Sequence, residues 1–79
     1  MYLHIGKDYI LNMNEIIGIF DINSLKKTNC YDNIISNVEN IEDISENKNK
    51  TLILIKENNK IKAYISNILS TTIASRNNF

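Results

Sequence analysis

The chain has 79 residues, with nine Lys or Arg against nine Asp or Glu, two Gly, one Cys and neither Pro nor Trp. That length fits one domain, residues 1–79; one cysteine excludes an internal disulfide, and no Cys/His set exists to hold a structural metal. The balanced charge excludes a generally basic nucleic-acid glove and a polyanionic tail.

A domain of this size buries only about 60% of the surface its unfolded chain exposes, so a lone copy is marginally stable. The staple left to it is oligomerisation. Sixteen Ile and fourteen Asn dominate the composition. The isoleucines are patterned, and a 43% apolar content argues for a folded domain over a low-complexity one. The opening Met1-Tyr2-Leu3-His4-Ile5 lacks a basic leader and a small-residue cleavage site. The longest aliphatic run, Leu52 to Ile55, is far short of the roughly 20 residues that span a membrane. Both observations predict a soluble, cytoplasmic protein with no membrane partner.

Tyr2-Leu3-His4-Ile5 reads as a strand, turned by Gly6-Lys7-Asp8, where Gly is free to take positive φ. Tyr9-Ile10-Leu11 follows and is closed by Asn12-Met13-Asn14. The β-branched and aromatic run from Ile16 to Ile22 predicts a strand buried on both faces, with Gly18 marking a bulge or a close approach. The period then changes. Tyr31, Ile34, Ile35, Val38 and Ile41 form one stripe of an amphipathic helix, capped by Thr28 or Asn29, with Asp32 in its first turn. Residues 39–50 read as a polar connection in which Ile41 and Ile44 pin the segment or form a short edge strand.

Thr51–Glu57 and Lys60–Ser66 flank Asn58-Asn59, which fits a type I′ hairpin because Asn tolerates the positive φ needed at both central positions. Ser66 or Asn67 then caps a short helix carrying Ile68, Leu69, Thr72 and Ile73, with Arg76 near its C-terminus and a frayed tail at Asn77-Asn78-Phe79. The fold class expected is α+β: a small, mostly antiparallel sheet of about five strands, one amphipathic helix and a short C-terminal helix.

Chemistry has few candidates. His4 is the only histidine and lies on the strand face opposite Leu3 and Ile5, with no recognised nucleophile for it to activate. Cys30 sits near a helix N-terminus, where a thiolate is stabilised, but its spacing from Ile34 suits a small core residue. The acids at 39–46 do not follow a calcium-loop pattern, and Gly6 and Gly18 stand alone, so no phosphate loop exists. No catalytic residue, metal or cofactor is expected. Lys48, Lys50, Lys56, Lys60 and Lys62 fall within 15 residues and face only Glu57. On a hairpin they would form a basic face able to meet phosphates, or else protect exposed strands from unwanted pairing. A symmetric oligomer would repeat that face and gain avidity.

Three strings carry a resemblance: Met1-Tyr2-Leu3-His4-Ile5-Gly6, Ile16-Ile17-Gly18-Ile19-Phe20-Asp21, and Ala63-Tyr64-Ile65-Ser66-Asn67-Ile68-Leu69-Ser70-Thr71-Thr72-Ile73. In this order and spacing they resemble the RemA/RemB family of small extracellular-matrix regulatory proteins of Firmicutes, the RemB branch most closely. The resemblance runs from Met1 to about Arg76, with residues 23–50 matching least. It implies a small α/β subunit that assembles into rings and, in the RemA branch, a DNA-binding transcriptional activator of biofilm-matrix genes. Carried across residue by residue, the family's surface arginines fall on Glu15, on Asn47 and on Lys48, with Lys50 close by. Lysine can neutralise a phosphate without arginine's bidentate fork, whereas Glu15 would repel one. The family's proline after the last strand is Asn67 here.

The expected protein is thus a non-enzymatic, self-assembling regulator, a homo-oligomer contacting DNA through Lys48 and Lys50. The alternative is an oligomeric structural or protein-binding scaffold with no nucleic-acid role, for which Glu15, the zero net charge and the acidic segment speak.

Overall fold

The structure is a computed structural model and describes residues 2–75. Strands β1 (Tyr2–Gly6) and β2 (Tyr9–Asn12) form an antiparallel hairpin, and a 3-10 turn (Met13–Glu15) leads into β3 (Ile16–Asp21). Helices α1 (Ile22–Lys27) and α2 (Cys30–Ser36) follow, then β4 (Asn40–Asp43), β5 (Thr51–Glu57), β6 (Lys60–Ser66) and α3 (Ser70–Ser75). The larger sheet has four strands in the order β3-β5-β6-β4.

The fold is α+β, but it differs from the expected outline. Among the described residues six strands lie in two sheets of two and four, and β4 runs parallel to β6, so the larger sheet is mixed. The expected helix begins where it was placed, with Asn29 (φ 61°) at the N-cap position of α2 though without a side-chain capping bond. But α2 ends at Ser36, and an additional helix, α1, precedes it. Tyr31, Ile34, Ile35 and Val38 do share one apolar surface, whereas Ile41 lies on β4 and is 40% exposed. Ile44 is buried, so the 39–50 segment both pins the core and supplies an edge strand.

The third strand also ends earlier than expected. Asp21 accepts hydrogen bonds from the Ser24 N–H and hydroxyl, caps α1, and turns Ile22 into the helix. β3 is an edge strand, half-buried along most of its length, with a register shift between Ile16 and Gly18 where the bulge was expected. The last helix starts at Ser70. Ser66 stays in β6, and its hydroxyl accepts the Ile68 N–H in a local turn instead of capping α3. Arg76 and the tail at 77–79 lie outside the described residues.

Three layers result. Leu3, Ile5 and Leu11 of the small hairpin, Ile44 and Ile73 pack with Ile53, Ile55 and Tyr64 on one face of the large sheet. Leu25, Tyr31, Ile34, Ile35 and Val38 pack with Leu52, Ala63 and Ile65 on the other. Because β5 and β6 are central and covered on both faces, Thr51-Leu52-Ile53 and Ala63-Tyr64-Ile65-Ser66 are buried without alternation. Asn58 (φ 52°) and Asn59 (φ 67°) make the expected turn between them, and Gly6 (φ 133°) with Lys7 (φ 46°) makes the first.

Candidate nucleic-acid interface

Strand directions place the lysines. The ends of β3, β4 and β6 and the start of β5 share one end of the sheet, because Asp21 pairs with Thr51, Thr51 with Ser66, and Asp43 with Ile65. Lys48 and Lys50 sit there, just before β5. Lys56 and Lys60 sit at the opposite end, beyond about 20 Å of strand at roughly 3.3 Å per residue. The five lysines therefore do not form one face in a single chain.

The loop bearing Lys48 and Lys50 is fixed through its backbone. Ile44 N–H donates to the Ile65 carbonyl at 2.9 Å, and Lys48 N–H to the Ser45 carbonyl at 3.1 Å. Glu46 (φ 54°) and Asn47 (φ 68°) make the left-handed turn between Ser45 and Lys48. Lys50 N–H donates to the Ser66 carbonyl at 3.0 Å, and its own carbonyl accepts Ile22 N–H at 3.0 Å. Ser45 is fully buried; its N–H and hydroxyl both donate to Asp43 Oδ1, and the hydroxyl also touches the Asn49 carboxamide. The Ser45 hydroxyl, then its N–H, with Lys7 adding attraction, hold the Asp43 carboxyl below the ordinary range. The backbone is anchored while both lysine side chains are exposed and, among the described residues, have no carboxylate within 4.0 Å.

Lys7 belongs to the same end, because the β1–β2 turn approaches the sheet where Gly6 meets Ile44, Ser66 and Asn67. Its Nζ lies 3.4 Å from Glu46 Oε1, so much of its charge is spent inside the loop. Nothing in the sequence pairs positions 7 and 46; only the docking of the small hairpin brings them together. Glu15 lies at the start of β3, the far end of the sheet, about 20 Å from Lys50. That exceeds the 8–10 Å screening length of physiological salt. Within one chain, Glu15 therefore does not oppose a phosphate held at Lys48 and Lys50. Asn47 forms part of the left-handed turn itself.

The far end holds a different cluster. Lys62 Nζ is 3.9 Å from Glu42 Oε1 and 4.8 Å from the Tyr64 ring centre, and Tyr9 donates from its hydroxyl to Glu42 Oε2 at 3.5 Å. Tyr64, chiefly through its hydroxyl, and then Glu42 and Glu57 hold the Lys62 ammonium above the usual lysine range against the opposing effect of burial. Beside it a groove of about 360 Å³ is lined by Glu39, Asn40, Glu57, Asn58, Lys60 and Lys62. Two acids there oppose two lysines, which makes a poor seat for phosphate.

His4 and Cys30 do not meet. His4 Nε2 lies 2.6 Å from the Lys7 carbonyl on the outer side of the small hairpin, while Cys30 begins α2 on the other side of the four-stranded sheet. Cys30 is exposed and its thiol points to the Thr28 carbonyl at 3.7 Å, so it is not the small core residue that its spacing suggested. Among the described residues no group of three or more His, Cys, Asp or Glu is placed to hold a metal. No helix among them is long and apolar enough to cross a membrane. No family model, no curated protein and no solved structure matches the chain.

Proposed function

We propose that the chain is a non-enzymatic regulatory protein of the RemA/RemB kind, which self-assembles and contacts DNA through Lys48 and Lys50. The observation that carries this reading is the pair of exposed, unneutralised lysines on a loop anchored to β6 and α1. A fixed backbone limits the ordering cost of binding to the two lysine side chains. Two lysines per chain neutralise few phosphates, so affinity depends on several copies acting together. The zero net charge of the chain keeps those copies from repelling one another.

The test is a gel shift on AT-rich promoter duplex across a salt series. Lys48→Glu with Lys50→Glu is expected to abolish the shift at moderate salt. The milder Lys48→Gln with Lys50→Gln should flatten the slope of log affinity against log salt by about 2 per participating chain, at roughly 0.9 per phosphate contact. Binding that survives the double charge reversal removes these residues from the mechanism. The scaffold reading is favoured by one observation: Lys7, the other lysine at this end of the sheet, is already paired with Glu46, so the free positive charge there, among the described residues, is Lys48 and Lys50 alone. A protein partner recovered by pulldown, with no salt-dependent DNA binding, would establish it instead.

A further inference from the structure

The groove beside the Lys62 cluster is made by the strands themselves. β4 begins at Asn40, opposite Lys62, so on that side of β6 neither Lys60 nor Ile61 has a strand neighbour. Backbone pairing frames the gap. Glu57 pairs with Lys60 across the Asn58-Asn59 turn, and the Ile61 carbonyl accepts the Glu39 N–H at 3.3 Å. The resulting space of about 360 Å³ lies within the roughly 300–1,000 Å³ range of small-molecule sites.

Two acids and two lysines line this space without neutralising one another. Among the described residues, Glu39, Glu57 and Lys60 have no opposite charge within 4.0 Å. Lys62 is the fixed member. Its side chain is 26% exposed, and its ammonium lies 4.8 Å from the Tyr64 ring centre and 3.9 Å from Glu42 Oε1. At 3.9 Å the Glu42 contact is Coulombic and not a hydrogen bond, so the ammonium keeps N–H donors for a ligand.

The balance of charge selects that ligand. An anion drawn to Lys60 and Lys62 also meets Glu39 and Glu57, and a cation meets the reverse, a juxtaposition of like charges that costs binding. A molecule carrying both charges on neighbouring atoms can set each against its opposite. Ile61 and the lysine stems offer it an apolar floor. We propose that the groove binds a free α-amino acid with a neutral side chain, its carboxylate at Lys60 and Lys62 and its ammonium at Glu39 and Glu57. The site lies at the opposite end of the sheet from Lys48 and Lys50 and does not depend on the DNA contact proposed above.

The experiment follows the amide NMR signals of the chain at fixed neutral pH and salt during titration with three compounds. They are L-leucine, N-acetyl-L-leucine, which lacks the cation, and L-leucinamide, which lacks the anion. Leucine is expected to give saturating shifts at residues 39–40 and 60–62. It should bind about tenfold or more tightly than either analogue, the scale of one lost hydrogen bond to a charged group. Glu39→Gln with Glu57→Gln should weaken leucine and strengthen N-acetyl-leucine, a reversal that a loss of folding does not produce. Equal affinity for the three compounds, shifts that fail to saturate or fall outside the groove, or a double variant that treats leucine and N-acetyl-leucine alike overturns the site.

Discussion

Replacing Ser66 with alanine tests the knot on which the whole end of the sheet rests. The Ser66 side chain is fully buried. Its hydroxyl donates to the Ile5 carbonyl, across 61 positions of sequence, and accepts the Ile68 N–H at 3.0 Å. The carbonyl of that same Ile68 accepts from the Thr51 hydroxyl at 2.6 Å, and Thr51 is the cross-strand partner of Ser66. Two buried hydroxyls therefore hold the connection to α3 at both its donor and its acceptor, and one of them ties the small hairpin to the large sheet. Ser66→Ala removes almost no volume but leaves the Ile5 carbonyl and the Ile68 N–H without partners. At about 1–3 kcal/mol for each buried group left unsatisfied, and with Ile68 only partly buried, the loss should be about 2–4 kcal/mol. Against a total stability of about 5–15 kcal/mol that is a large fraction, and it corresponds to a drop in Tm on the order of 15 °C for a domain of this size. Urea unfolding followed by circular dichroism at fixed protein concentration measures it, with the slope of the transition expected to be unchanged. Thr51→Val should cost less, because it strands one carbonyl alone, and the double variant should be less damaging than the sum, since both changes release the same residue. A Ser66→Ala loss below about 0.5 kcal/mol would refute the reasoning, because the two groups would then have found other partners.

Two further outcomes follow from local geometry. A Cβ placed at Gly18 would lie 2.7 Å from both Cε2 and Cζ of Phe20, and φ at Gly18 is not positive, so Gly18→Ala meets the ring and not a backbone prohibition. We expect it to cost about 1–3 kcal/mol, and to cost much less in a Phe20→Leu background; equal costs in the two backgrounds would show that the ring is not the obstacle. For Asp43, the folded-state carboxyl is held below its unfolded value, so the unfolded chain binds its proton first as pH falls. The stability contributed is present above the ordinary carboxylate range and is lost as pH drops through the folded value. Thermal melts from neutral to acid pH should therefore show a steeper decline for the wild type than for Asp43→Asn, and parallel curves would remove Asp43 from the acid response.

What the residues alone determined was local. Asn58-Asn59 had to turn because two successive positive φ values are tolerated there, and Gly18 marked the bulge. The run from Ile16 was expected to be covered on both faces, but β3 is a half-buried edge, and it is the central β5 that is covered on both. Tyr31, Ile34, Ile35 and Val38 were rightly placed on one apolar surface, because helical spacing is set within a few residues. The same periodicity ran too far at Ile41, since nothing local records that β4 will be recruited alongside β6. Tertiary structure decided the rest. Strand order sent Lys48 and Lys50 to one end of the sheet and Lys56 and Lys60 to the other, dividing what looked like a single basic face. The docking of the small hairpin brought Lys7 to Glu46. Ser45, Thr51 and Ser66, residue types expected at turns and surfaces, became the fully buried hydroxyls that fasten the loop carrying the lysines. Thr51 and Ser66 each donate to a carbonyl far away in sequence, that of Ile68 and that of Ile5, and burial without a hydrogen bond would be costly. Length and neutrality therefore bounded the protein from the outset, but only long-range pairing determined which of its charges are free to act.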